Sequence, residues 1–370
     1  MNPILVKSAE DNEIYSATIA GINLSFANAI RRTVLNDIPT VVLGTEIYQD
    51  NKCTININTG RLHNELVKQR ISCIPVHITD EKEMETFPDE YVLVVDEKND
   101  TDTMMILTTE HFKIKQKNGD KYLTTEEVRA IFPPDPMTRD FIDVVRLRPK
   151  IGDSIPGEHL KLTCEFTIAS AKINGMYNVA SKCAYGNTMD PEKADTAWSV
   201  IQQKLAEENT PKEDIEFQKR NFYLLDAHRY SVPNSFDFQV QTVGVFDNKT
   251  LLKKACNIMR RKCLEMHKNL ESDAVPIKTS LTTMANCHDV VLLDEDYTLG
   301  KVIEYILYDK YYEGEALLSF CGFKKFHPHD TESTIRIAYK QETEKHILKQ
   351  HLRDASMIAA EVFEKLFKLF

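Results

Sequence analysis

Residues Asn23 to Pro39 read Asn-Leu-Ser-Phe-Ala-Asn-Ala-Ile-Arg-Arg-Thr-Val-Leu-Asn-Asp-Ile-Pro, and the rest of the chain is organised around them. Phe26, Ile30 and Val34 recur at i, i+4 and i+8 with Ala27 and Thr33 beside them, one apolar face of a 3.6-residue period. The spacing predicts an amphipathic helix. Asn23 and Ser25 offer side-chain oxygens to its first unpaired N–H groups. Pro39 ends it, because it lacks a donor and drives Ile38 out of the helical region. Taken alone, such a stripe describes any core helix.

Tyr297 to Tyr308, Tyr-Thr-Leu-Gly-Lys-Val-Ile-Glu-Tyr-Ile-Leu-Tyr, repeats the design. Ser25 aligns with Thr298 as a cap, Phe26 with Leu299, Ala27 with Gly300, Ala29 with Val302 and Ile30 with Ile303. A self-similar helix in two distant places implies two related modules that pair through equivalent surfaces.

The order of elements supports this. Ile4 to Ala9 and Glu13 to Ile19 read as a hairpin before the first helix, and Phe236 to Val245 reads as a strand feeding a helix over Asn248 to Leu270. That helix carries Leu252, Ala255, Met259, Cys263, Met266 and Leu270 at spacings of three and four. Strands at Ile277 to Met284 and Asp289 to Leu293, the Leu299 helix, strands at Ala316 to Phe323 and Thr334 to Tyr339, and a terminal helix over Glu344 to Phe370 follow the same order. The terminal stripe, which includes Ile358, Val362 and Phe363, is too wide for a helix resting on one small sheet. Between the halves lie strand-like runs at Val41 to Tyr48, Cys53 to Ile57, Tyr91 to Val95, Met104 to Thr108, Phe112 to Lys115, Val144 to Leu147 and His159 to Ala169. Short helices are expected at Asn64 to Ile71, Thr125 to Ala130 and Asp195 to Glu208, and loops at Asp80 to Glu90 and Asn174 to Asp190.

A length of 370 residues predicts two or three domains, and 42% hydrophobic with 28% charged residues fits a soluble globular chain. No apolar run reaches the roughly 18 residues of a spanning helix, and no signal-peptide layout opens the chain, so an intracellular, reducing location is expected. A net charge of −10 disfavours direct binding of nucleic acid. The eight cysteines include no C-x-x-C pair, which fits buried thiols better than a disulfide or zinc framework.

Phe26-Ala-Asn-Ala-Ile-Arg-Arg32 through Ile38-Pro39-Thr40, then Asn64-Glu-Leu-Val-Lys-Gln-Arg-Ile-Ser-Cys-Ile-Pro75, resembles the α-type assembly subunits of multisubunit RNA polymerases, specifically the third-largest subunit of the eukaryotic enzyme. Leu147 to Gly152, Leu160 to Cys164 and Phe236 to Gly244 extend the match. From Asp294 to Ile303, with Phe320 to Phe323 and His327-Pro328-His329, the chain is similar to the small eleventh-type subunit that pairs with it. The resemblance implies an α+β fold: two dimerisation modules of antiparallel sheet plus helices in one chain, the first interrupted by a mainly β inserted domain. The expected boundaries are 1–41 and 189–272 for the first module, 42–188 for the insertion and 273–370 for the second module. Such a fusion looks like that of nucleocytoplasmic large DNA viruses, which would place the protein in host cytoplasm or a virus factory and in the virion.

The resemblance implies a non-catalytic platform for the two largest polymerase subunits and the smaller α-associated subunits, touching nucleic acid only indirectly and no membrane. The expected pairing core is Phe26, Ile30, Val34, Leu299, Ile303, Met259, Ile358 and Phe363, and Arg31 and Arg32 are the expected contacts with a large subunit. No cofactor or metal is expected. Many relatives hold zinc or an iron–sulfur centre on inserted-domain cysteines, whereas Asp80 to Glu90 contains none. Two rivals stay open: a metal-dependent phosphotransferase built on Asp294-Glu295-Asp296, and a self-assembling scaffold unconnected with transcription. Capping and the helix dipole explain the acidic triplet without a metal.

Overall fold

The computed structural model describes Met1 to Phe370 apart from residues 46–48, 50, 153 and 282. The end of the strand expected at Val41 to Tyr48 lies outside the described residues.

Strands β1 (Ile4–Asp11) and β2 (Ile14–Ala20) form an antiparallel hairpin, and α1 (Leu24–Asn36) follows. Next come β3 (Thr40–Leu43), β4 (Cys53–Asn58), α2 (Asn64–Ser72), α3 (Glu81–Glu90), β5 (Tyr91–Lys98), β6 (Met105–Thr108), β7 (Lys113–Gln116), α4 (Thr125–Ile131), β8 (Asp143–Leu147) and β9 (His159–Ala169). The chain continues through β10 (Ala180–Met189), α5 (Pro191–Glu207), α6 (Lys212–Leu224), β11 (Ser231–Thr242) and α7 (Asn248–Glu271). It closes with β12 (Ile277–Thr279), β13 (Cys287–Leu293), α8 (Tyr297–Leu307), β14 (Leu318–Lys324), β15 (Glu332–Tyr339) and α9 (Lys345–Phe367).

These elements make two compact units, one of residues 1–34, 182–241 and 248–370, the other of residues 35–181 with 242–247. The first contains two four-stranded sheets, ordered β1-β2-β11-β10 and β12-β13-β15-β14. Both follow one path: a leading antiparallel pair, a helix, a third strand at the far edge, a fourth strand inside, and a long closing helix. The mixed α+β fold with antiparallel sheets expected from the sequence is the fold observed.

The second unit is mainly β. Its main sheet runs β3-β9-β5-β7 with β4 also paired to β9, and β6 pairs with β8. Alternation along β9 buries Leu160, Leu162, Cys164 and Phe166 on one face, where Leu93 and Val95 of β5 join them.

Three expectations are corrected, and one helix had not been expected. Asp80 to Glu90 is a helix rather than a loop: Asp80 accepts the N–H groups of Lys82 and Glu83 at 3.0 Å, and Met84 and Phe87 bury one turn apart. Asn174 to Asp190 contains β10, whose polar sequence suits an edge strand. Helix α6 was hidden by its charge, yet with α5 it encloses Trp198 among Ala194, Phe222 and Ala227. The strand expected to reach Met284 ends at Thr279.

Candidate functional site

Helices α1, α7, α8 and α9 bring most of the expected pairing core together. Phe26, Ile30 and Val34 on α1, Leu299 and Ile303 on α8, Met259 on α7 and Phe363 on α9 are all buried. Ile358 is half-buried, at the side of an inward α9 stripe that runs through Ala355, Ala359, Val362 and Phe363. The width of that stripe has a direct cause. One side of α9 packs along α7 and another on α8, while the Phe363 ring lies 5.1 Å from that of Phe26 on α1.

Both α1 and α8 are capped by the aligned residues Asn23 and Asp296 rather than by Ser25 and Thr298. Ser25 and Thr298 lie inside their helices. The oxygen acceptors are Asn23 Oδ1, bonded to Ser25 N at 2.9 Å, and Asp296 Oδ1, bonded to Thr298 N at 2.8 Å. The register that sets Phe26 against Leu299 also sets Asn23 against Asp296, so this equivalence could have been found in the alignment. Gly300, aligned with Ala27, leaves room for the Phe323 ring: a Cβ there would lie 2.1 Å from a ring carbon.

The two arginines of α1 have different surroundings. Arg32 is turned inward to α8: its Nε donates to Thr298 Oγ1 at 2.8 Å and its Nη2 to Asp296 Oδ2 at 2.6 Å. The carboxylate that caps one helix thus holds the guanidinium of the other, which is the physical reason Arg32 is not a free cation. Arg31 is half-buried, and its Nε and Nη2 donate to Asn28 Oδ1 at 3.1 and 3.0 Å. Elsewhere in the same unit Arg260 reaches Glu364 at 3.6 Å between α7 and α9, Lys262 meets Glu295 at 3.5 Å, and Lys349 pairs with Asp273.

Burial raises the Asp296 carboxyl, but its bonds from Thr298 and the Arg32 charge outweigh that and hold it below its ordinary 3.8. Its stabilising contribution is therefore complete above the unfolded value and is lost as pH falls through the lower folded one. The Arg32→Ala change is expected to cost about 1 kcal/mol, since the pair is only partly shielded from water. In a cycle with Asp296→Asn, coupling should be present at pH 7 and vanish in acid. Additive effects at pH 7 would dissolve the bridge as a stabilising contact.

Among the described residues no group of three or more His, Cys, Asp or Glu side chains is placed to hold a metal. Among the described residues the inserted domain does not fit a zinc or iron–sulfur centre: α3 has no cysteine, and Cys53 and Cys164, opposed across β4 and β9, have no third ligand grouped with them. His327 and His329 lie with ring centroids 5.2 Å apart on the surface. No helix among the described residues is long and apolar enough to cross a membrane.

Two four-stranded sheets of like strand path carry helices that pack on one another. The sequence profile of the RNA polymerase Rpb3/Rpb11 dimerisation domain matches residues 17–263, more than half of the chain, and the protein belongs to that family. It is similar to the DNA-directed RNA polymerase subunit Rpo3 of Pyrococcus horikoshii, 24% identical over 270 residues that cover 70% of this chain and 93% of the relative. The Rpo3 subunit of Pyrococcus furiosus is 23% identical over 260 residues, 66% of this chain and 88% of its own length.

Proposed function

We propose that this chain is a non-catalytic assembly subunit of a DNA-directed RNA polymerase, carrying a third-largest-type part and an eleventh-type part in one polypeptide. The observation that carries the reading is the repeated sheet path joined through α1, α7, α8 and α9, in a chain of the dimerisation family. Residues 1–41 with 189–272 form one module and 273–370 the other, with 42–188 inserted in the first. Linking the halves covalently fixes their 1:1 ratio and raises the effective concentration of each for the other. As in the viral fusions that the sequence resembles, the site of action is then the host cytoplasm or virus factory.

The joined helical face recruits the two largest subunits, with smaller α-associated subunits beside them, and nucleic acid is held by those partners. Arg31 remains the arginine of α1 proposed for a large subunit, while Arg32 serves the internal joint. Against the phosphotransferase alternative, two of its three carboxylates already have partners: Asp296 is engaged by Arg32 and Thr298, and Glu295 faces Lys262.

Affinity purification from the native source is expected to recover both largest subunits in stoichiometric amounts. The Arg31→Ala chain should melt as the parent does and recover less of a large subunit, by ten-fold or more if the arginine is a buried contact worth about 2 kcal/mol. Purification without polymerase subunits, or nucleotide incorporation by the isolated chain, would overturn the assignment.

A further inference from the structure

In the unit built on β9, β3 and β4 pair in turn with that one strand. Cys53 is the first residue of β4 after the return, directly opposite Cys164. Glu165 N donates to Lys52 O at 3.0 Å, which makes Lys52 and Glu165 a hydrogen-bonded pair and places Cys53 and Cys164 in the adjoining non-hydrogen-bonded position. The Asn51 side chain accounts for the backbone groups that Cys53 turns away from β9: Oδ1 accepts its N–H and Nδ2 donates to its C=O, both at 3.0 Å. Opposed residues in that position have Cα atoms about 4.5 Å apart, inside the range that a disulfide spans. Both side chains lie on the buried face, near enough for each thiol to shift the other's ionisation.

We propose that Cys53 and Cys164 are a cross-strand redox pair that closes to a disulfide on meeting a peroxide, stapling the start of β4 to the central strand of its sheet. The two sulfurs are unequal. The neighbouring Cys164 thiol holds the Cys53 thiol below its ordinary value, with burial opposing and the Lys68 ammonium assisting, while the Cys53 thiol and burial push Cys164 up. Cys164 Sγ also lies 3.7 Å from the Glu165 carbonyl oxygen. Burial pushes the thiols of Cys183, Cys256 and Cys321 up to about 12, so they are poor nucleophiles.

Cys53 as thiolate attacks the peroxide, the O–O bond breaks, and sulfenic acid forms with release of one water. Cys164 then attacks that sulfur, the S–S bond forms, and the sulfenic oxygen leaves as a second water. Two thiols lose two electrons and two protons in all, and one peroxide becomes two waters. Entry of the oxidant requires local opening at the start of β4, so closure is slow beside oxidation of the exposed Cys73.

The full-length chain is treated with hydrogen peroxide, alkylated under denaturing conditions and digested without reductant. The expected product is one cross-linked peptide pair joining Cys53 to Cys164, two hydrogens lighter than the separate peptides, reopened by dithiothreitol and absent from Cys53→Ser and from Cys164→Ser. Because the bridge closes a loop of roughly 110 residues, the oxidised parent should also melt roughly 5 °C higher, a rise that neither variant shows. Exposed Cys73 reports that oxidant acted. Full alkylation of Cys53 and Cys164 in a sample whose Cys73 is oxidised, oxidation of Cys53 to sulfinic acid without a cross-link, or a bridge from Cys53 to another cysteine would each overturn the proposal.

Discussion

Expression of the Ile30→Asp chain is expected to yield insoluble protein, or soluble protein whose main unfolding transition is lost. Ile30 is fully buried on α1 beside Phe26 and Val34. Removing its side chain forfeits roughly 1.5–3 kcal/mol of apolar burial. The carboxylate adds a desolvation cost or must take up a proton, so the total exceeds about 4 kcal/mol, a large part of the roughly 5–15 kcal/mol that holds a domain together. Ile30→Val is the paired control, and it should cost only about 0.5–1.5 kcal/mol because it removes one methylene from the same place. The readouts are the soluble fraction and the thermal midpoint. A soluble Ile30→Asp protein with an unchanged midpoint would place the residue outside the core.

What the sequence showed depended on how strongly each segment was patterned. The stripes of α1, α7 and α8 are set by spacing alone, since burying one face of a helix leaves a period that no other structure produces. Strand β9 was equally plain because its two faces meet different surroundings. Helix α3 was hidden: acidic residues occupy its first turn, where they suit the helix dipole, and only Met84 and Phe87 mark the buried side. Strand β10 was hidden because an edge strand can be polar, and α6 because it buries little beyond Phe222. The acidic triplet before α8 was legible as a cap, whereas its bond to Arg32 was not. Two residues this far apart in sequence meet only once both helices are placed, and an arginine on a helix face has the same local signature whether its partner is internal or a second protein.

The Phe26–Phe363 contact is where that distinction is measured most directly. Phe363→Ala is expected to cost about 3–5 kcal/mol, because the ring is fully buried and the helices around it can close only part of the space left behind. The thermal midpoint should fall by roughly 10 °C. Phe26→Ala should cost a similar amount, and the double variant less than the sum by about 0.5–1.5 kcal/mol, since tilted rings 5.1 Å apart attract one another beyond their area. The coupling is the informative quantity. α1 follows the leading strands of the first sheet and α9 closes the second, so a shared loss means that the two sheet-and-helix parts are stabilised as one body. If the two costs add to within about 0.3 kcal/mol, the rings do not meet in solution and the joint between the repeats is not the one described. In the proposed platform the same variants carry a second consequence. A face assembled from both repeats requires their pairing, so Phe363→Ala should lose the large subunits at temperatures where Arg31→Ala, which leaves the core untouched, still folds and still holds the repeats together.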